Sequence, residues 1–323
     1  MSNLPFEKTY IEHKTQQFLD KINSAGGPPI YELPPEEARK VLEKVQDINI
    51  TKQPANIEDI TIVIENGDRV DVRIVRPEGI TSKSPGILYF HGGGWVLGDT
   101  NTHDRLVREI ANGTKAAVIF FNYERSPESQ YPKMIEQGYM LAKYIYNFAE
   151  AMNIDSSRLA IAGDSVGGNM AAVIAILAKK YNQVNFRYQV LFYPVTAANF
   201  ETESYNKFAN GYWLTKEAMK WFWDSYLPDK SKRNDYKASP LMASSELLKG
   251  LPPTLIITDE NDVLRDEGEA YARKLMDAGV DVTAIRMLGT IHDFVMLNEL
   301  ADTPAAKTAI ELANMKLYKA LNT

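Results

Sequence analysis

The chain has 323 residues, 45% of them hydrophobic and 24% charged, with a formal net charge of −6. That balance argues against a disordered or fibrous chain and suits one large α/β domain with a substantial buried core. Lys and Arg are scattered rather than gathered into a stripe, which speaks against nucleic acid as a partner, and the absence of cysteine excludes disulfides, thiolate chemistry and cysteine-held zinc.

Taken from the N-terminus, residues 1 to about 50 read as amphipathic helix broken near Gly26-Gly27-Pro28-Pro29. Pro34-Pro35 followed by Glu36-Glu37 has the form of a helix start, with acids near the positive end of the helix dipole. The first thirty residues carry no apolar secretory core, which points to the cytoplasm. The longest clean apolar run, Met170 to Ala178, falls far short of the roughly 20 residues a membrane span needs, so no integral membrane association is expected. Next, Ile60, Ile62 and Ile64 alternate, Asn66-Gly67 intervenes, and Val70, Val72 and Ile74 alternate again. Period two around Asn-Gly predicts a hairpin.

Short continuous apolar runs then alternate with helical segments: Ile87 to Phe90, Ala116 to Phe121, Leu159 to Ala162, Val190 to Tyr193, Leu255 to Thr258 and Val282 to Met287. Such runs are expected of strands covered by helices on both faces, joined by crossovers into a mostly parallel sheet. The interval from Thr196 to about Tyr236 is too long for a plain crossover and is rich in aromatics. It reads as an inserted helical segment that packs with the N-terminal helices as a cap. The expectation is a single domain, 1–323, with a cap formed by about 1–50 and 196–236.

Gly163-Asp164-Ser165-Val166-Gly167 follows the run Leu159 to Ala162 and precedes a helical pattern. This is G-x-S-x-G in a strand–turn–helix setting, which lifts a serine hydroxyl to a helix N-terminus. A Gly-rich connector would look similar. A serine hydroxyl needs a base, and of His13, His91, His103 and His292 only His292 follows Ser165, as the order Ser, acid, His requires. The acid should follow the run Leu255 to Thr258. Asp259, Glu260, Asp262 and Asp266 are candidates, and spacing leaves Asp259 and Asp262 as close competitors. His91-Gly92-Gly93-Gly94-Trp95 follows another strand, and its glycines leave backbone N–H groups free to bind an oxyanion together with the N–H of Val166. Gly92, Gly94 and Gly98 also loosely match a dinucleotide fingerprint, but no clear helix opens at Gly94.

Together these elements resemble the bacterial hormone-sensitive-lipase-like carboxylesterases of the α/β-hydrolase superfamily. The matching pieces are His91 to Trp95, Tyr123 with Pro127-Glu128, Gly163 to Gly168, Asp262 to Gly268, and His292 with Phe294. The resemblance implies the α/β-hydrolase fold, with Asp262 as the triad acid, Gly93, Gly94 and Val166 as oxyanion donors, and His91 as a shaper of the glycine loop. It implies hydrolysis of short- to medium-chain acyl esters through an acyl-enzyme, with no cofactor and no metal. Four positions depart from the family pattern: Val166 for Ala, Val263 for Pro, Glu124 for Arg and Asp293 for a small residue. Val166 would either narrow the acyl pocket or pack behind the turn. An acid at 293 is expected to raise the pKa of His292.

Trp95, Phe208, Trp213, Val263 and Ile291 are candidates for the substrate pocket, while Trp221, Phe222 and Trp223 read as the packing face of a helix. The same triad would serve an amidase or a deacetylase. A non-catalytic small-molecule receptor on the same scaffold, or an interaction protein docking through its aromatic cap, is the alternative from another class. Relatives of the family often pair through the last strand and C-terminal helix. Val282 to Met287 and Ala305 to Leu321 would allow such a homodimer, and the same apolar pattern serves packing within one chain.

Overall fold

The computed structural model describes residues 9–80 and 82–323; the start of the N-terminal stretch, residues 1–8, lies outside them. Helix α1 spans His13–Ser24 and α2 spans Pro35–Gln46. The break at Gly26–Pro29 falls between them, and Pro35, Glu36 and Glu37 occupy the first turn of α2. Strands β1 (Ala55–Val63) and β2 (Arg69–Pro77) form the expected antiparallel hairpin, with Ile62 opposite Val70 and Ile60 opposite Val72. In β2 the residues Val70, Val72 and Ile74 are buried while Arg69 and Asp71 are exposed. The alternation in sequence thus becomes one wet and one dry face.

The remaining elements are β3 (Ser84–Phe90), α3 (Asp104–Thr114), β4 (Ala117–Asn122), α4 (Lys133–Phe148), β5 (Ile154–Asp164), α5 (Val166–Tyr181), β6 (Tyr188–Phe192), α6 (Glu203–Lys207), α7 (Lys216–Tyr226), α8 (Ser245–Leu248), β7 (Thr254–Asn261), α9 (Arg265–Asp277), β8 (Val282–Ile291) and α10 (Pro304–Asn322). Among the described residues eight strands make one sheet in the order β1-β2-β4-β3-β5-β6-β7-β8. The hairpin joins through an antiparallel β2–β4 pairing, and every later pair is parallel. Strands β3 and β6 are buried along their whole length, which is why they read as unbroken apolar runs rather than alternating ones. Helix α10 lies against α3 and the parallel strands, while α4 lies against α5, and α8 against both α5 and α9. Two groups of helices thereby enclose the sheet.

The inserted segment meets the N-terminal helices directly. The Phe18 and Trp213 rings lie 5.4 Å apart, the Asn23 side chain donates to the Gly211 carbonyl, and the turn Ile30–Glu32 rests on α7. The segment is rooted at the start of α9. Glu267 there accepts from the Thr196 and Ala197 N–H groups at 2.6 and 3.1 Å, and Asp266 accepts from Ser204 N–H at 2.7 Å. No helix among the described residues is long and apolar enough to cross a membrane.

Candidate active site

Four parallel strands end on the same edge of the sheet. The segments leaving β3, β5, β7 and β8 carry His91, Ser165, Asp262 and His292. This is the edge on which α/β sheets place ligands, because each strand stops there and its loop is free to vary.

Ser165 turns β5 into α5 with φ 54° and ψ −120°, a conformation that costs about 1–3 kcal/mol for a non-glycine residue. The surroundings hold it there: Ser165 N–H donates to Phe192, and its carbonyl accepts from Asn169 and Val195. The turn closes only because its flanks have no side chains. A Cβ at Gly163 would lie 2.3 Å from the Gly167 carbonyl oxygen, and one at Gly167 only 2.0 Å from that of Phe90.

Ser165, Asp262 and His292 are brought together. His292 Nε2 lies 2.9 Å from Ser165 Oγ, and His292 Nδ1 lies 2.8 Å from Asp262 Oδ2. A carboxylate only accepts, so the proton sits on Nδ1 and Nε2 presents its lone pair to the serine hydroxyl. Asp262 also accepts from Leu264 N–H at 3.0 Å. All three side chains are buried, with residual exposures of 1–3%. Burial disfavours the imidazolium, but the carboxylates of Asp262 and Asp293 outweigh it and lift His292 to about 9. Asp293 lies on the Nε2 side: its Oδ1 is 3.4 Å from that nitrogen, and its Oδ2 accepts from the Trp213 indole at 2.9 Å. Ligand atoms of Asp259, Asp262 and His292 fall within 4.8 Å of one another. His292 Nδ1 is committed to its hydrogen bond with Asp262, so a metal there would have to break that bond.

The glycine loop lies beside Ser165. Among the described residues, the N–H groups of Gly93, Gly94 and Val166 donate to no protein acceptor. The loop is held from beneath by a network that sequence reasoning missed. Asp164 accepts from Tyr89 OH at 2.6 Å, Gly92 N–H at 3.1 Å and His103 Nε2 at 3.2 Å. Burial pushes the Asp164 carboxyl up, but the His103 charge and these hydrogen bonds hold it below the usual carboxylate range. Burial likewise opposes charge on His103, and the Asp164 carboxylate reverses that and raises it. His91 behaves differently: burial, and then the His103 charge, lower it to about 3. Its ring lies flat on Tyr123 at 4.1 Å, and its Nδ1–H donates to the Gly92 carbonyl. Arg39 of α2 donates to the carbonyls of Val96 and Ser126 and pairs with Glu128. Arg125 donates to the Gly98 carbonyl, and Glu124 pairs with Lys133 at the surface. Asp164 stood at a variable position of the G-x-S-x-G motif. Tyr89, His103 and Arg39 lie about 60 to 125 residues away in sequence, and no local pattern flags them.

Ser165, His292, Gly93 and Gly94 open into a cavity of about 650 Å³. Its walls come from α1, α2 and the turns between them, and from residues 213–222; they include Ile22, Pro28, Tyr31, Leu42, Trp213, Leu214, Met219 and Phe222. Of the expected pocket residues, only Trp213 lines this cavity. Trp95 does not: with φ 61°, its indole is wholly buried, stacked 4.0 Å from Tyr226 and edge-on to Trp223. Phe208 is buried against Tyr212 and the Arg265 guanidinium. Val263 and Ile291 face the core at 0% exposure. Conversely Phe222, read as a packing residue, forms a wall of the cavity, while Trp223 does pack. Val166 is fully buried and absent from the cavity wall, so it packs behind the turn. Without a proline, the acid loop is tied by Ser204 Oγ–H donating to the Val263 carbonyl at 2.7 Å.

Comparison with known proteins gives the family. Residues 87–296 match the family described as alpha/beta hydrolase fold. The crystal structure of a thermostable esterase from Pseudomonas putida ECU1011 superposes with a TM-score of 0.95 at 46% identity, covering 99% of both chains. A fungal esterase from Rhizomucor miehei gives 0.91 at 39% identity over 97% of both. An ethyl acetate hydrolase of Pseudomonas putida is 33% identical over 292 residues, 88% of this chain and 91% of that one. The chain belongs to the alpha/beta hydrolase fold family and, within it, to the carboxylesterases.

Proposed function

We propose that the chain hydrolyses carboxylic esters by two acyl transfers through Ser165. The observation that carries this reading is the continuous hydrogen-bonded line from Ser165 Oγ through His292 to Asp262, opening into the cavity that Gly93 and Gly94 also line. His292 Nε2 takes the hydroxyl proton as Ser165 Oγ attacks the ester carbonyl. Asp262 fixes the tautomer and stabilises the imidazolium. The free N–H groups of Gly93, Gly94 and Val166 receive the oxyanion, each contributing about 3–4 kcal/mol in the transition state. His292 then returns the proton to the leaving alcohol. Water, deprotonated by the same nitrogen, releases the acid.

The N-terminal helices and the 196–236 segment act as a cap over this cavity. Its apolar lining and modest volume favour short to medium acyl or alcohol chains, in keeping with a relative that is an ethyl acetate hydrolase. The test is hydrolysis of p-nitrophenyl esters from acetate to palmitate by the wild type and by Ser165→Ala. Turnover of the short esters should fall by about four to six orders of magnitude in the variant. Equal rates in the two proteins would refute the role of Ser165. No hydrolysis by either would favour a ligand-binding receptor on the same scaffold.

A further inference from the structure

Asp259 lies on β7, three residues before Asp262, and has no part in the mechanism so far. It is completely buried, and no N–H or O–H donor reaches either of its carboxylate oxygens among the described residues. One of those oxygens is 4.0 Å from His292 Nδ1, and it belongs to the cluster with Asp262 and His292 whose ligand atoms lie within 4.8 Å of one another. The charged and titratable groups facing it are Asp262, His292, Asp293 and the buried Tyr193 hydroxyl.

A bare carboxylate here would be a buried charge without a donor, next to a second carboxylate. A neutral carboxyl instead has one O–H to give, and Asp262 beside it has lone pairs left over. Among the described residues its two oxygens accept only from Leu264 N–H and His292 Nδ1–H. Burial, and then the charge of Asp262, raise Asp259 well above the usual carboxylate range.

We propose that Asp259 is a positioning residue that keeps its proton and donates it as a hydrogen bond to Asp262, holding that carboxylate turned toward His292 Nδ1–H. The inference rests on the proposed roles of Ser165, His292 and Asp262. It explains how two buried acids coexist behind one histidine. Only one of them is charged, and the neutral one fixes the rotation of the other. The donor also draws charge away from Asp262, which tempers its pull on the imidazolium.

Two variants separate this role from plain packing. Asp259→Asn keeps the shape, stays neutral and retains an N–H donor; Asp259→Leu fills the space without one. On a short p-nitrophenyl ester, Asp259→Asn should keep kcat within about threefold of wild type. Asp259→Leu should lose roughly ten- to hundredfold in kcat with little change in KM, and the acidic limb of its pH–rate profile should move to higher pH. An infrared difference spectrum of wild type against Asp259→Asn at neutral pH should show the carbonyl band of a neutral carboxyl in the wild type alone. Absence of that band overturns the proposal whether or not the leucine variant folds. So does a leucine variant with wild-type kcat and pH profile, or an asparagine variant as impaired as the leucine one. Ser165→Ala is run in parallel: full activity there overturns the nucleophile assignment and this proposal with it, whereas its inactivity leaves Asp259 judged on its own variants.

Discussion

Gly94→Ala is the most informative single change, because the structure fixes both the clash and its cure. Gly94 has φ +63°, and a Cβ built there lies 2.1 Å from Phe222 Cδ1. The ring or the loop must yield by about 1.3 Å to restore ordinary contact, and the left-handed backbone adds about 1–2 kcal/mol. A displacement of that size at a reacting centre costs about a hundredfold, and loss of one oxyanion donor costs about 10²–10³. The single variant should therefore lose about 10²–10³ in kcat on p-nitrophenyl acetate. Phe222→Ala alone only widens the cavity wall and should change kcat by less than about tenfold. The double variant relieves the clash and retains only the backbone strain, about fivefold to thirtyfold in rate. The coupling energy of the cycle should be about 1–3 kcal/mol, with thermal melts confirming that each variant is folded. Strict additivity would refute the steric argument, and a fully active Gly94→Ala would refute the role given to the loop.

Two further predictions concern charge. His292 is lifted by Asp262 and Asp293, and a base must be neutral to act, so removing one carboxylate lets it work at lower pH. The two groups are 3.4 Å apart, a separation worth about one pH unit even in bulk water, so in this buried site Asp293→Asn should move the acidic limb of kcat/KM down by at least about one pH unit; an unchanged limb would count against the role of Asp293. Asp164→Asn breaks a buried pair and should cost about 3 kcal/mol, seen as a fall in Tm. Asp164 is lowered in the fold and His103 raised. The carboxylate's share is present above the usual acid range and lost as pH falls; the imidazolium's share is present below the usual histidine range and lost as pH rises. The deficit in Tm should thus be largest between about pH 4 and 6.5, and a deficit independent of pH would argue against an ionised pair.

The inner strands were legible because burial on both faces leaves unbroken apolar runs, and the hairpin because one wet face leaves alternation; β8, read as another such run, is instead half exposed over Val282–Met287. That Ser165 and His292 would meet could be read from the sequence because a strained strand-to-helix turn and the order of residues along the chain leave local traces. Asp262 needed the family resemblance, since Asp259 stands in an equivalent setting by spacing. The cavity wall was far less legible. Whether an aromatic lines it depends on tertiary packing that composition does not encode: Trp95 stacks on Tyr226 away from it, and Trp213, packed against Phe18, faces it. Asp164 with His103, and Arg39 with the 96–128 loops, are contacts over long sequence separations. A single sequence carries no signal for such pairs.

The root of the 196–236 segment has a mechanical consequence. Thr196, Ala197 and Ser204 are fastened to Glu267, Asp266 and Val263, within five residues of Asp262. A covering segment tethered so close to the acid cannot swing away as a whole without dragging on the His292–Asp262 bond. An excursion of this segment would therefore be confined to the stretch beyond Phe208, around Gly211 and Trp213, where the chain takes left-handed angles.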